Sequence, residues 1–370
     1  MRVSRLLVLV LALTPLSFAQ DASQNKSWSS SSQQQDPSGV YNATRTSQSH
    51  TETNGRVIDK TSVQAIGLDG KYVPYQDIER ESVKVDANTV RTIERTYSSG
   101  PDGQRMLVQV REEESRKLAD GGQSVIRTTS NPDANGSLQV VQREVQSSKQ
   151  TSPDVRETKT SVFTPDMNGG LSPTTQIEQR EQKSSDGTVQ FKKSTQLSDG
   201  AGHWNLAEVR EGTDKPRSGD LHRIDERVLR PDSNGNLTII EHTVKQQTES
   251  SPGDKKESVE TYSVNVPGVA GDNGLQLVQR ETTVVRNSPT GQTTTRQVEQ
   301  SNPGAARDSL QVTSEAIDIV RPATSGAADQ KSTTLVRDSD GRLREVWVDF
   351  GKTDNPSVLP DKPQPAPKPK

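Results

Sequence analysis

The sequence predicts an all-β protein in which tandem hairpins, with a period of about 33 residues, form an elongated antiparallel β-meander flanked by disordered N- and C-terminal segments. Three observations predict it. Gly70, Gly103, Gly136, Gly169, Gly202 and Gly235 recur at one constant interval, and a fixed period in this range marks a tandem structural unit. The phrase Pro132-Asp-Ala-Asn-Gly136 returns as Pro165-Asp-Met-Asn-Gly169 and Pro231-Asp-Ser-Asn-Gly235, with Pro101-Asp102-Gly103 as a shortened copy. Between these turns lie runs dominated by Val, Ile and Thr, without apolar residues recurring at three and four, which favours strand over helix.

Residues 1–19 read as a secretory signal peptide: a basic start at Arg2 and Arg5, an apolar run from Leu6 to Phe18, and Ser17-Phe18-Ala19 as a cleavage site before Gln20. The run falls short of the roughly 20 apolar residues that span a bilayer, so the mature chain is expected to have no transmembrane span. Residues 20–54 are rich in Ser, Gln, Asn and Thr, and are predicted to be a disordered linker with Trp28 and Tyr41 as isolated, exposed aromatics. Residues 55–351 hold the hairpin array, and residues 352–370 form a Pro/Lys-rich tail suited to extended polyproline II.

Within the array each unit reads as turn, strand, polar break and second strand. After Pro132, the first run is Ser137 to Val145, the break is Ser147 to Pro153, and the second run is Val155 to Phe163. Asn-Gly supplies positive φ at a tight turn, Asp can bond the backbone two residues on, and Pro ends the preceding strand because it lacks an N–H. Past Gly235 the step loosens, first to Gly274 and then to the distant Gly341, which predicts insertions. Asp232-Ser-Asn-Gly-Asn-Leu237 and Asp338-Ser-Asp-Gly-Arg-Leu343 resemble the Rhs-type YD hairpin repeats of secreted bacterial proteins along that short phrase, but lack the Tyr ahead of the Asp. No function is carried over from that resemblance.

A charged phrase recurs inside the strands: Gln142-Arg143-Glu144, Gln179-Arg180-Glu181, Gln279-Arg280-Glu281, Val209-Arg210-Glu211 and Val110-Arg111-Glu112. Neighbouring Arg and Glu point to opposite faces, so stacked copies predict charged rows on both faces, with register chosen to alternate the signs. The arginine falls seven places after its glycine at Arg143, eight at Arg210 and Arg111, but eleven at Arg180, which predicts a non-uniform register and bulges. A propeller blade needs a longer repeat than this one, and an outer-membrane barrel needs an apolar outward face that Gln-Arg-Glu strands do not supply.

Composition restricts the chemistry. Hydrophobic residues are 28% of the chain and aromatics 3%, so a large core is excluded. There is no cysteine, hence no disulfide or thiolate site. The formal net charge is −3, or −5 once Arg2 and Arg5 leave with the leader, which points away from nucleic acid. The Asp-x-Asn-Gly turns fail as calcium loops: with Gly235 in sixth place, Arg230 takes the first position, and with Gly341 there, Val336 and Trp347 take the first and twelfth. The four histidines, His50, His203, His222 and His242, lack zinc-protease spacing, and Glu112, Glu113 and Glu114 read as solvated charges. No catalytic, cofactor-binding or metal-binding residue is assigned, and no cofactor is expected.

The sequence therefore predicts an exported, non-enzymatic protein with a structural, spacer or adhesive role in the bacterial envelope or at the cell surface. The expected partner is a cell-wall polysaccharide or another envelope protein. The alternative is a carbohydrate-binding or hydrolytic protein whose repeats close around Trp204, His222, His242 and several carboxylates. Tyr262, Trp347 and Phe350 are further candidates for a sugar-stacking platform, or else cover the sheet.

Overall fold

A computed structural model describes residues 26–35, 41–53, 55–67, 70–100, 103–216, 222–251, 253–264, 274–301, 310–322 and 328–353. Residues 1–19, expected to be a leader, and most of the segment expected to be a C-terminal tail lie outside the described residues. The described residues form an all-antiparallel meander of twenty strands, as the hairpin period predicts. In order they are β1 (Lys26–Gln35), β2 (Tyr41–Thr53), β3 (Arg56–Ile66), β4 (Tyr72–Lys84), β5 (Thr89–Ser99), β6 (Arg105–Lys117) and β7 (Gln123–Pro132). There follow β8 (Leu138–Ser152), β9 (Val155–Pro165), β10 (Leu171–Lys183), β11 (Val189–Ser198), β12 (Trp204–Pro216), β13 (His222–Pro231) and β14 (Leu237–Ser251). The last six are β15 (Asp254–Ser263), β16 (Gln276–Ser288), β17 (Gly291–Ser301), β18 (Leu310–Arg321), β19 (Ala328–Arg337) and β20 (Leu343–Thr353). Each strand pairs with its sequence neighbours, and β1 also pairs with β20 at Ser30↔Thr353, Ser31↔Lys352 and Gln34↔Asp349. The first and last strands of the meander thus meet.

Strands β1 and β2 lie in the Ser/Gln-rich segment expected to be a linker. Lys26 to Gln35 runs in unbroken register against His50 to Tyr41, and β2 runs against β3. Backbone hydrogen bonds do not depend on apolar side chains, and a paired neighbour can order a Ser/Thr-rich segment that composition alone reads as coil. The long step from Gly274 to Gly341 also has a structural reason, because β16 to β19 fit two hairpins into it.

The turns are built as the repeated phrase predicts. In the hairpin after β7, Gly136 has φ 81° and its N–H donates to the Asp133 carbonyl at 2.9 Å. Asp133 Oδ1 accepts from the N–H groups of Asn135 and Ser137 at 2.8 and 2.9 Å. The carboxylates of Asp166, Asp199, Asp232 and Asp338 likewise each accept two backbone N–H groups, two and four residues on.

Bulges occur with a regularity the arginine offsets did not convey. One extra residue is inserted into an even-numbered strand at Tyr75, Val108, Val141, Thr174, Ala207 and Ile240, each at the fifth position past the turn glycine. Val278, Thr313 and Val346 continue the series. The uneven arginine offsets have a separate meaning: odd offsets place Arg143 and Arg180 on one face, and even offsets place Arg111 and Arg210 on the other.

No large core supports the sheet. Val110, Val125, Val209, Val228 and Val348 are the buried hydrophobic residues among those described, and no described side chain is less than 2% exposed. Across β4 to β6, charged residues stand at mid-strand on both faces, so neither face of these described strands offers the continuous apolar band of a lipid-facing barrel.

Because the units flanking residues 136–168 carry the same bulge spacing past the turn glycine, removing those residues should leave a shorter sheet in register. The far-UV circular dichroism of that variant is expected to remain strand-rich with a cooperative melt; a coil spectrum would contradict the repeat architecture.

Candidate functional site

Ionisable side chains carry most of the side-chain bonding on this sheet, and their placement determines what the surface can do. By register, one row runs Asp59, Arg80, Glu94, Arg111 across β3 to β6 with alternating sign, as the Gln-Arg-Glu phrase predicts. On the same face, Arg127 in β7 lies between Glu113 and Glu144, with contacts of 2.6 and 2.5 Å. On the opposite face Arg280 bridges Glu260 at 2.9 Å and Glu299 at 3.6 Å. Of the three consecutive glutamates, Glu112 faces Arg91 at 3.3 Å and Glu113 faces Arg127, so adjacent carboxylates are committed to opposite faces.

The turn aspartates are occupied by backbone. Donation from Asn135 and Ser137 holds the Asp133 carboxyl below the usual 3.8, and donation from Asn236 and Asn234 does the same for Asp232. At Asp166 the Ser172 hydroxyl is the leading donor, followed by Asn168 and Gly170. Among the described residues, no group of three or more His, Asp or Glu is placed to hold a metal ion.

Each histidine meets one aspartate: His50 with Asp59 at 2.6 Å, His203 with Asp199 at 2.9 Å, His222 with Asp214 at 2.8 Å and His242 with Asp225 at 2.9 Å. Strands β13 and β14 are adjacent, but His242 is opposed to Arg227, an odd number of positions past His222, so the two histidines point to opposite faces. Trp204 stands at the start of β12 opposite Ser198. The convergence of Trp204, His222 and His242 that a closed site would need is therefore absent. Tyr262 stacks on His242 with ring centres 5.7 Å apart and donates its hydroxyl to Glu260 at 2.9 Å. The side chains of Trp347 and Phe350 lie outside the described part of β20.

A concavity interrupts the rows. It spans β10 to β13, has a volume of about 560 Å³, and is lined chiefly by Arg180, Lys192, Glu211, Asp225 and Arg227. By register these occupy one face: Arg180, Lys192, Glu211 and Arg227 form one row across the four strands, and Asp225 belongs to the row beside it. Gly212 lets the backbones close up at its centre, because an added Cβ would overlap the Asp225 carbonyl oxygen and stand 2.9 Å from the Phe191 ring. Sequence reasoning did not single out Lys192 or Arg227; the one available signal was the Lys192-Lys193 doublet.

No protein-family model and no curated protein matches the chain. Similar solved structures include a copper transporter, OprC, at 7% identity and TM-score 0.45, covering 91% of this chain and 81% of that one. OpdO of Pseudomonas aeruginosa gives 9% identity and TM-score 0.40, covering 89% and 95%. A bacterial polysaccharide outer membrane secretin gives 9% and 0.30, covering 88% and 97%. With TM-scores below 0.5, these likenesses carry no argument about the chain.

Replacing Arg127 by Met strands two carboxylates on one face and should cost about 1–3 kcal/mol, read as a lowered urea midpoint. The turn aspartates have folded values below 3.8, so their contribution is complete above that pH and is lost as pH falls through the folded values. Urea stability should therefore fall below about pH 4, and the triple change Asp133→Asn, Asp166→Asn, Asp232→Asn should flatten that acid limb; an unchanged limb would remove the turns as its source.

Proposed function

We propose that the protein is exported and non-enzymatic, with a structural, spacer or adhesive role in the bacterial envelope or at the cell surface, where it contacts a cell-wall polysaccharide or another envelope protein. The observation that carries this reading is the repetition of one hairpin, turn and bulge along the sheet, which generates a long polar surface rather than a gathered reactive centre. The side chains that catalysis would use support it: the turn aspartates accept backbone N–H groups, and His222 and His242 are separated by the sheet. Export rests on the leader at residues 1–19, which lies outside the described residues.

The test is to express the tagged chain in a bacterial host, fractionate the cells and determine its N-terminus by mass spectrometry. Processing at Gln20 and recovery beyond the inner membrane are expected, with Leu7→Arg plus Leu11→Arg holding the full-length chain in the cytoplasm. An unprocessed cytoplasmic parent chain would overturn the reading.

A further inference from the structure

Across the described register, wherever a Lys or Arg lies directly opposite another charged Lys, Arg, Asp or Glu, the signs are opposite, with three exceptions: Arg180↔Lys192, Lys193↔Arg210 and Lys215↔Arg223. All three are cation on cation, and all fall in β10 to β13. Arg180↔Lys192 and Lys215↔Arg223 lie on the face of the concavity and Lys193↔Arg210 on the other. Like charges in direct opposition destabilise a sheet, so their concentration in these strands, where the rest of the sheet alternates, marks strands shaped by something other than folding. Arg210 is relieved by Glu208 at 2.6 Å and Glu226 at 3.1 Å. Arg180, Lys192 and Arg227 have no ion pair among the described residues, and they line the concavity.

We propose that this concavity binds an acidic saccharide chain laid across β10 to β13. The row Arg180, Lys192, Arg227 supplies cations, and arginine forks suit carboxylates. The row beside it supplies Gln182, Gln190 and Thr213, neutral donors and acceptors suited to sugar hydroxyls. The two acids present limit the site rather than fill it: Glu211 stands between Lys192 and Arg227, and Asp225 is engaged by His242. Four strands at about 4.8 Å spacing give the rows a reach of roughly 14 Å, and the volume is in the range of ligand sites. The ligand class narrows the polysaccharide partner named above and rests on that reading only for where the ligand is met; binding in solution stands or falls apart from export.

Isothermal titration of the purified full chain with polygalacturonate at low and physiological salt provides the test, beside its neutral methyl ester and polyglutamate. Polygalacturonate should bind with an affinity that weakens as salt rises, and the ester and polyglutamate should bind far less. Lys192→Gln and Arg180→Gln should each weaken binding about tenfold or more while leaving the melt close to that of the parent, since each removes one like-charge opposition together with one unlike opposition, Lys192↔Glu211 or Arg180↔Glu157. Lys159→Gln, whose lysine pairs with Glu178 at 2.8 Å on the same face, should leave affinity unchanged. Absent binding of polygalacturonate, unchanged affinity in both concavity variants, an equal loss in Lys159→Gln, or equal binding of the ester or polyglutamate would each overturn the proposal.

Discussion

Opposition of unlike charges across neighbouring strands is the constraint on which this sheet depends. In most half-buried sheets a hydrophobic face fixes register, because a slip of one residue turns the apolar set outward. Here a few buried valines cannot do that, and backbone ladder bonds are indifferent to which residues they join. The row Asp59, Arg80, Glu94, Arg111 supplies the missing discrimination, since a one-residue slip of any strand removes its charge from the row. Each pair contributes only about 0.2–1 kcal/mol, so the effect comes from repetition. The bulge five places after each turn glycine from Gly70 to Gly235 adds a second register mark that does not depend on charge.

The sequence was informative where a local rule applied and silent where pairing decided. Glycine at a fixed period with Asp three places ahead implies a hairpin turn whose carboxylate bonds the backbone, and Asp133 and Asp232 do this. Alternation of Arg and Glu across strands was legible for the same reason: neighbours along a strand must take opposite faces. Strands β1 and β2 were not legible, because Ser, Thr and Gln give no alternation and the order of that segment comes from a partner strand. Bulges were expected from the arginine offsets, but their positions at Val141 and Ile240 were hidden, for nothing in those residues differs from the strand around them. The surface around Arg180 and Lys192 combines residues distant in sequence, and only the register of β10 against β11 shows them opposed.

The meeting of β1 with β20 has a consequence for how the molecule assembles. Every other pairing joins strands adjacent in the chain, so its loop is short and its closure entropy small. The pairing of Ser30 with Thr353 instead brings together positions near opposite ends of the array. Hairpins can zip locally as they leave the ribosome, whereas this last seam must wait for the final strand. Seam formation is then the one slow, length-dependent event in an otherwise local folding reaction, and until it happens the outer edges of β1 and β20 are exposed templates for another chain.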